Sequence, residues 1–94
     1  MKSVTKAQMK RLIECENLPG LEYVGEQFIY MDSHGENVKL HVCKRDDGSL
    51  VGFPVWVNSE EINFWQDPAE LIPLVAEEVT RTEYKRADGD EWDF

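Results

Sequence analysis

The chain lacks the motifs that would assign it to a known class of enzyme or metalloprotein. Its 94 residues include only two cysteines and two histidines, and they show neither a Cys-x-x-Cys nor a paired-histidine spacing. No Gly-x-Ser-x-Gly, glycine-rich phosphate loop or His-Glu-x-x-His motif occurs. These absences predict a protein that is not an enzyme and that uses no metal ion or cofactor.

Long apolar segments are missing as well. The two longest, residues 53–57 and 71–76, fall far short of the roughly 20 residues that cross a bilayer. No apolar run of signal-peptide length follows Lys2. Cys15 and Cys43 are too few for a disulfide scaffold, so we interpret them as reduced thiols. We expect a cytoplasmic protein that does not contact membranes.

Bases are scarce outside the N-terminus. The first eleven residues carry four bases and no acid, whereas the rest of the chain carries all 19 acids and six bases, a net charge of −13 for that part. Such a surface repels nucleic acid and attracts basic protein surfaces. Solubility alone needs a net charge of only about 2–8. The excess predicts a protein partner with a basic surface and argues against direct nucleic-acid binding.

The N-terminal segment has the features of a helix start. Thr5 and Gln8 form a Thr-x-x-Gln capping box, around which Val4 is placed to form a hydrophobic staple with Met9. An apolar stripe at helical spacing follows, made of Met9, Leu12 and Ile13. The Pro and Gly of residues 17–20 predict that the helix ends near Glu16.

Three strands are predicted in the middle of the chain. They cover Leu21–Met31, Val38–Cys43 and Leu50–Val57. Gly25 is a candidate bulge in the first strand. An Asp-Asp-Gly-Ser hairpin signal lies at 46–49. In the second strand His41 is expected to be half-exposed and Cys43 partly buried. Pro54 cannot donate a ladder hydrogen bond, so the third strand should be at an edge or broken there.

The last third has a helix start of its own. Residues 67–70 place Asp at the N-cap, Pro at the first helical position and Glu two residues later. Apolar residues follow at roughly helical spacing, namely Leu71, Leu74, Val75 and Val79. A C-terminal helix is therefore predicted. Residues 79–84 fit either the end of that helix or a fourth strand, and both interpretations stay open.

These elements predict an α+β domain. It consists of an N-terminal helix, a small three- to four-stranded antiparallel sheet, a C-terminal helix and an acidic flexible tail. We place the single domain at residues 1–86 and the acidic, aromatic tail at residues 87–94. A chain of this length buries one modest core.

A run of acids is the first candidate binding surface. Residues 58–80 contain no base, and the acids that we predict to contact a partner are Glu60, Glu61, Glu70, Glu77 and Glu78. On a helix, neighbours on one face lie roughly 5–6 Å apart, a spacing suited to filling a phosphate-binding groove on another protein. The alternative is a solvated acidic coat that only maintains solubility.

The tail is the second candidate. We predict that Asp90, Glu91 and Trp92 contact the partner, with the ring in a pocket and the carboxylates near Lys and Arg. Residues 88–94 resemble the acidic, Phe-terminated tails of single-stranded DNA-binding proteins, which dock replication partners. That resemblance implies a docking role for the tail. The alternative is that Trp92 and Phe94 fold back onto the domain.

Together these features predict an inhibitor that occupies the basic, nucleic-acid-binding surface of another protein. Small phage anti-restriction and anti-CRISPR proteins, some of them DNA mimics, are similar in size and charge. We expect a monomer or homodimer whose association with its partner weakens with salt. Two alternatives stay open: an immunity protein against a basic nuclease toxin, and a structural or assembly subunit that forms a homo-oligomer.

Overall fold

The computed structural model describes residues 2–58, 61–64, 66–78, 82–89 and 92. Over these residues the chain forms one helix and eight strands: β1 (Ser3–Val4), α1 (Lys6–Ile13), β2 (Leu21–Met31), β3 (Asn37–Arg45), β4 (Leu50–Val57), β5 (Ile62–Phe64), β6 (Ala69–Glu70), β7 (Ile72–Glu78) and β8 (Thr82–Arg86). The fold is therefore mostly β, and the prediction of an α+β domain with a C-terminal helix is wrong. Within the described ranges, no helix has the length and apolar character needed to cross a membrane.

The start of α1 confirms the predicted capping box. The Gln8 N–H donates to the Thr5 hydroxyl at 3.2 Å, and the Thr5 N–H donates to the Gln8 side-chain oxygen at 2.9 Å. Val4 is fully buried in the core that α1 covers, as the staple requires. The helix ends at Ile13, ahead of the predicted Glu16. Cys15 adopts a left-handed conformation with φ of 64°, which stops the helix.

The main sheet is antiparallel, in the order β2-β3-β4-β7-β8, with the short β5 added to β4. The three strands predicted in the middle of the chain are confirmed as β2, β3 and β4. The register of β2 shifts next to Gly25, where a bulge was predicted. The 46–49 hairpin is also confirmed, and Gly48 supplies its positive φ of 88°.

Pro54 lies where β4 changes partners. On one side β4 pairs with β3 along its whole length. On the other side β7 pairs with Leu50–Gly52 and β5 with Val55–Val57, which leaves a gap at Phe53 and Pro54 among the described residues. The strand is not broken, and the proline occupies a local edge where a missing N–H costs little.

The predicted C-terminal helix is a strand. Tertiary contacts bind the residue predicted to start the helix and pair the apolar residues that follow it with other strands. The Asp67 carboxylate accepts the Lys6 N–H at 3.0 Å, so it stabilises the N-terminus of α1 rather than of a new helix. The residues that follow form β7, between β4 and β8. Leu74 is buried against Leu40 and Val42 on the face opposite α1. Residues 82–86 form β8, while residues 79–81 lie outside the described ranges.

The sheet carries a core on each face. The larger core lies under α1 and contains Met9, Leu12, Leu21, Cys43, Val51, Phe53 and Val55. The smaller core lies on the other face and is built on Leu40, Val42 and Leu74. At Gly52 of β4 an added Cβ would come within 2.8 Å of the His41 carbonyl oxygen on β3 and of the Leu74 side chain on β7. These neighbours lie too close to Gly52 for any side chain to fit.

The Gln27 side chain connects the two ends of the sheet. Its amide donates to the Tyr84 carbonyl at 3.1 Å, and its oxygen accepts the Tyr84 N–H at 2.7 Å. Gln27 belongs to β2 and Tyr84 to β8, which are the outermost strands of the order. The sheet therefore curls until its ends meet, and one side chain supplies the two hydrogen bonds that a neighbouring strand would supply.

We expect the change Gln27→Glu to lower the free energy of unfolding by about 1–3 kcal/mol. The carboxylate keeps an acceptor for the Tyr84 N–H, but it places a second oxygen against the Tyr84 carbonyl where a donor is needed. Urea unfolding measures the change. Gln66→Glu adds the same charge at an exposed position and serves as the control. Equal stability of the two variants would contradict a role for Gln27 in closing the sheet.

Candidate functional site

The structure does not bring the predicted acids together. Glu61 lies in the β4–β5 connection, and Glu70 lies on β6. The backbones of Glu77 and Glu78 lie at the end of β7, which extends past the opposite end of β4. Glu61 therefore lies beyond the Val57 end of β4, and Glu77 and Glu78 lie beyond its Leu50 end. At about 3.3 Å per residue, the eight residues of β4 span roughly 23 Å between these two ends. Glu60, Asp90 and Glu91 lie outside the described residues.

Trp92 contributes to the fold. It is partly buried and packs against the core of Leu40, Val42 and Leu74. The contacts of this aromatic ring are thus with the domain itself, on the face of the sheet opposite α1.

A buried histidine lies beneath α1. His41 is only 3% exposed, and its ring stacks on Phe53 with 5.5 Å between ring centroids. Its Nδ1 shares a 2.8 Å hydrogen bond with the Tyr23 hydroxyl, and its Nε2 lies 4.0 Å from a Glu26 oxygen. Burial lowers the pKa of His41 to about 4, against the smaller raising effect of Glu26. Burial also raises the pKa of Tyr23 to about 12. Both groups are neutral at pH 7.

The buried thiol of Cys43 is not a reactive centre. Both cysteines are free; Cys15 is exposed and Cys43 is buried beside Tyr23 in the register of β2 and β3. Burial raises the pKa of Cys43 to about 12, so its thiolate is not formed at neutral pH. The expectation of a half-exposed His41 is wrong, and Cys43 is fully rather than partly buried, because this face of β3 packs into the core that Met9 and Leu12 of α1 cover. Among the described residues, no three His, Cys, Asp or Glu side chains are grouped as metal ligands.

Many acids face solvent without a base. In the described part of the chain, Lys or Arg pairs with Glu16, Glu26 and Asp88 alone. Seven other exposed acids have no such partner there: Glu14, Glu22, Asp46, Asp47, Glu61, Asp67 and Glu70. Their field is not cancelled locally, so it extends into solvent and steers cationic partners.

Part of the α1 side of the sheet is not covered by the helix. A row of register partners crosses four strands here, from Met31 through Asn37 and Val57 to Ile62. Met31 is 61% exposed, Ile62 is 45% exposed, and Phe28, on the same face of β2, is 57% exposed. We call Phe28, Met31, Val57 and Ile62 the open face. Large apolar side chains that lie side by side in solvent are typical of a protein-binding surface.

Carboxylates and the Lys39 ammonium lie around the open face. Glu26 shares the face of Phe28 and pairs with Lys39 at 3.4 Å. Asp32 follows Met31 and accepts the N–H groups of His34 and Glu36, each at 2.9 Å. The acids at this rim are Glu26, Asp32 and Glu61, whereas Glu36 accepts a hydrogen bond from the Asn63 side chain at 3.2 Å, on the other face of β5. The Glu26 ion pair and the Asp32 hydrogen bonds hold two of the three rim carboxylates in place.

A groove adjoins the open face at Ile62. It lies between α1 and β5 and has a volume of about 600 Å³. Its lining residues are Lys6, Lys10, Ile13, Glu14, Glu61, Ile62, Asn63 and Phe64. The site thus combines an exposed apolar row, an acidic rim and a concave region of the size that binds side chains or small ligands.

The sequence contained a signal for Phe28 that composition alone did not reveal. Positions 22, 24, 26 and 28 are all exposed, and two of them are glutamates. A period of two groups Phe28 with Glu26, whereas the register shift at Gly25 places Glu22 on the other face of β2. Met31 has no comparable signal, because its exposure follows from α1 ending short of it.

The chain matches no protein-family model, no curated protein and no solved structure at a significant level.

Proposed function

We propose that this protein binds and inhibits a nucleic-acid-binding protein or enzyme by occupying its basic surface. The mechanism is electrostatic occlusion: carboxylates steer the association and take the place of phosphates, while apolar side chains supply the buried contact area. This is how phage anti-restriction and anti-CRISPR inhibitors act, and the proposal places the protein in the cytoplasm. It is a binding function and assigns no catalytic residue.

The observation that carries the proposal is the open face with its acidic rim. Phe28, Met31 and Ile62 are exposed where a fold alone would bury them. Apolar anchors surrounded by charged residues are the arrangement of interface hot spots. The rim selects a partner with Lys or Arg around an apolar region.

A second copy of the chain fits this surface less well. Two copies meeting at the open face would bring the same carboxylates together, and each chain carries a net charge of −9. Like charges at that range repel, since the screening length at physiological salt is about 8 Å. We therefore propose a different protein, rather than a second copy of this chain, as the partner at the open face.

The test begins with affinity capture from the host cell, followed by a displacement assay on the captured protein. We expect the captured protein to bind nucleic acid and to lose that binding when this protein is added. Changing Phe28 and Met31 to alanine should weaken the displacement about tenfold, which corresponds to about 1.4 kcal/mol. Fluorescence anisotropy of labelled nucleic acid measures it.

Two matched controls sharpen this prediction. Val24→Ala with Val75→Ala removes exposed apolar residues away from the open face, at 44% and 48% exposure. Glu26→Gln with Glu61→Gln and the pair at Glu22 and Glu70 each remove two negative charges. We expect only the first of these glutamine pairs to weaken displacement strongly. If the captured protein keeps its nucleic acid whatever variant is added, the proposal is wrong.

A further inference from the structure

β5 is an edge strand. It pairs with β4 on one side, and within the described residues no strand pairs with its other side. Residues 61–64 all line the groove between β5 and α1. Alternate side chains of a strand point in opposite directions, so consecutive residues line one groove only where the edge of the strand faces it. The groove therefore presents the free backbone edge of β5, which is a template for another strand.

The groove continues past the N-terminus of α1. A second region of about 340 Å³ is lined by Lys6, Gln66 and Asp67 together with residues 62–64. Apolar side chains of Ile13, Ile62 and Phe64 lie in the larger region. The two regions together form a channel along β5 with apolar contacts near its middle.

The charges of this channel are separated along its length. Lys6, Lys10 and Glu14 lie four residues apart on successive turns of α1 and its C-cap. Lys6 and Asp67 line the smaller region, whereas Lys10, Glu14 and Glu61 line only the larger one. The Asp67 carboxylate accepts the Lys6 N–H at the positive N-terminus of α1, which offsets part of its charge. The end of the channel at Glu14 and Glu61 is therefore more negative than the end at Lys6 and Lys10. At 1.5 Å per helical residue this wall is about 12 Å long, which matches about four residues of extended chain.

We propose that this groove binds an extended peptide segment, which pairs with the free edge of β5 as an added strand. The segment has an apolar side chain at its centre, an acidic residue beside Lys6 and Lys10, and a basic residue beside Glu14 and Glu61. Backbone hydrogen bonds supply affinity, and the charge order fixes the direction of the segment. The assignment of this segment to the inhibited partner rests on the proposed function. The groove and the class of ligand that it binds are independent of that function.

Two synthetic peptides test the proposal: acetyl-Asp-Val-Phe-Val-Lys-amide and acetyl-Lys-Val-Phe-Val-Asp-amide. They have the same composition and opposite charge order. In an NMR titration we expect the amide signals of Ile62, Asn63 and Phe64 to shift, and one peptide to bind at least about fivefold more tightly. Methylating the backbone nitrogens of the better peptide should weaken it about tenfold or more, because an added strand needs those donors.

Variants of the protein complete the test. Lys10→Gln with Glu61→Gln should remove the preference between the two peptides, while Lys2→Gln with Glu22→Gln should preserve it. Absence of binding, equal affinity of both peptides, or shifts away from β5 would each overturn the groove proposal. None of these outcomes affects displacement of nucleic acid from the captured partner. Peptide binding without such displacement would instead refute the inhibitor function alone.

Discussion

Changing Phe53 to alanine should lower the free energy of unfolding by about 3–5 kcal/mol, the largest effect of any single substitution considered for this chain. Phe53 is fully buried at the centre of the core under α1, and its ring stacks on His41. Removing the ring eliminates its buried apolar contacts and leaves a cavity beside the polar imidazole of His41. In a domain of this size each kcal/mol corresponds to about 4–8 °C, so the midpoint of thermal unfolding should fall by more than about 12 °C.

The matched control is Phe28→Ala. The substitution is chemically identical, but Phe28 is 57% exposed on the open face. We expect its unfolding free energy to change by no more than about 0.5 kcal/mol. If Phe53→Ala is too unstable to purify, Phe53→Leu retains part of the packing and should give a smaller loss in the same direction. A large destabilisation by Phe28→Ala would mean that this ring supports the fold, and would remove the main argument for the open face as an interface.

Acid should destabilise the protein through His41. Burial holds the pKa of this histidine at about 4 in the folded chain, against 6.5 for a free histidine. Above pH 6.5 both the folded and unfolded chains leave it neutral, and its contribution to stability is complete. Between pH 6.5 and about 4 only the unfolded chain binds the proton, so stability is lost as the pH falls. The loss amounts to about 3 kcal/mol, at about 1.4 kcal/mol for each pKa unit.

Comparison with His41→Gln isolates this effect, because carboxylates that titrate in the same range are common to both proteins. The groups that face the ring, namely the Glu26 carboxylate, the Lys39 ammonium and the Tyr23 hydroxyl, are also common to both proteins. Chemical denaturation at a series of pH values between 7 and 4 gives the two slopes. His34→Gln makes the same substitution at an exposed position and serves as the control. Parallel profiles of the native protein and His41→Gln would show that His41 does not titrate differently on folding.

The sequence predicts the candidate site only in part. The surplus of acids is visible in the composition, and the structure leaves seven of them exposed without a base among the described residues. Which acids act together is not visible, because it depends on strand order. Glu70 lies on β6, whereas Glu61 precedes Ile62 at the end of the four-stranded row and Glu26 lies near Phe28 on the same side of the sheet. Phe28 and Met31 become an exposed surface only because an eight-residue helix covers part of the sheet.

What the sequence determined by itself is local. The Thr5–Gln8 capping box, the strands 21–31 and 50–57 and the Asp-Gly hairpin depend on residues a few positions apart, and all are confirmed. Such features follow from hydrogen bonds and backbone preferences that any neighbouring context preserves.

Tertiary structure determined whether residues 67–78 form a helix or strands. Their local pattern fits a helix, yet Asp67 bonds to the start of α1, and the free edge of β4 at Leu50–Gly52 takes β7 as its partner. A short apolar run satisfies either a helix or a strand, so the choice falls to whichever pairing buries Leu74 and completes the backbone hydrogen bonds of β4. That pairing joins residues twenty or more positions apart, and no local pattern encodes it.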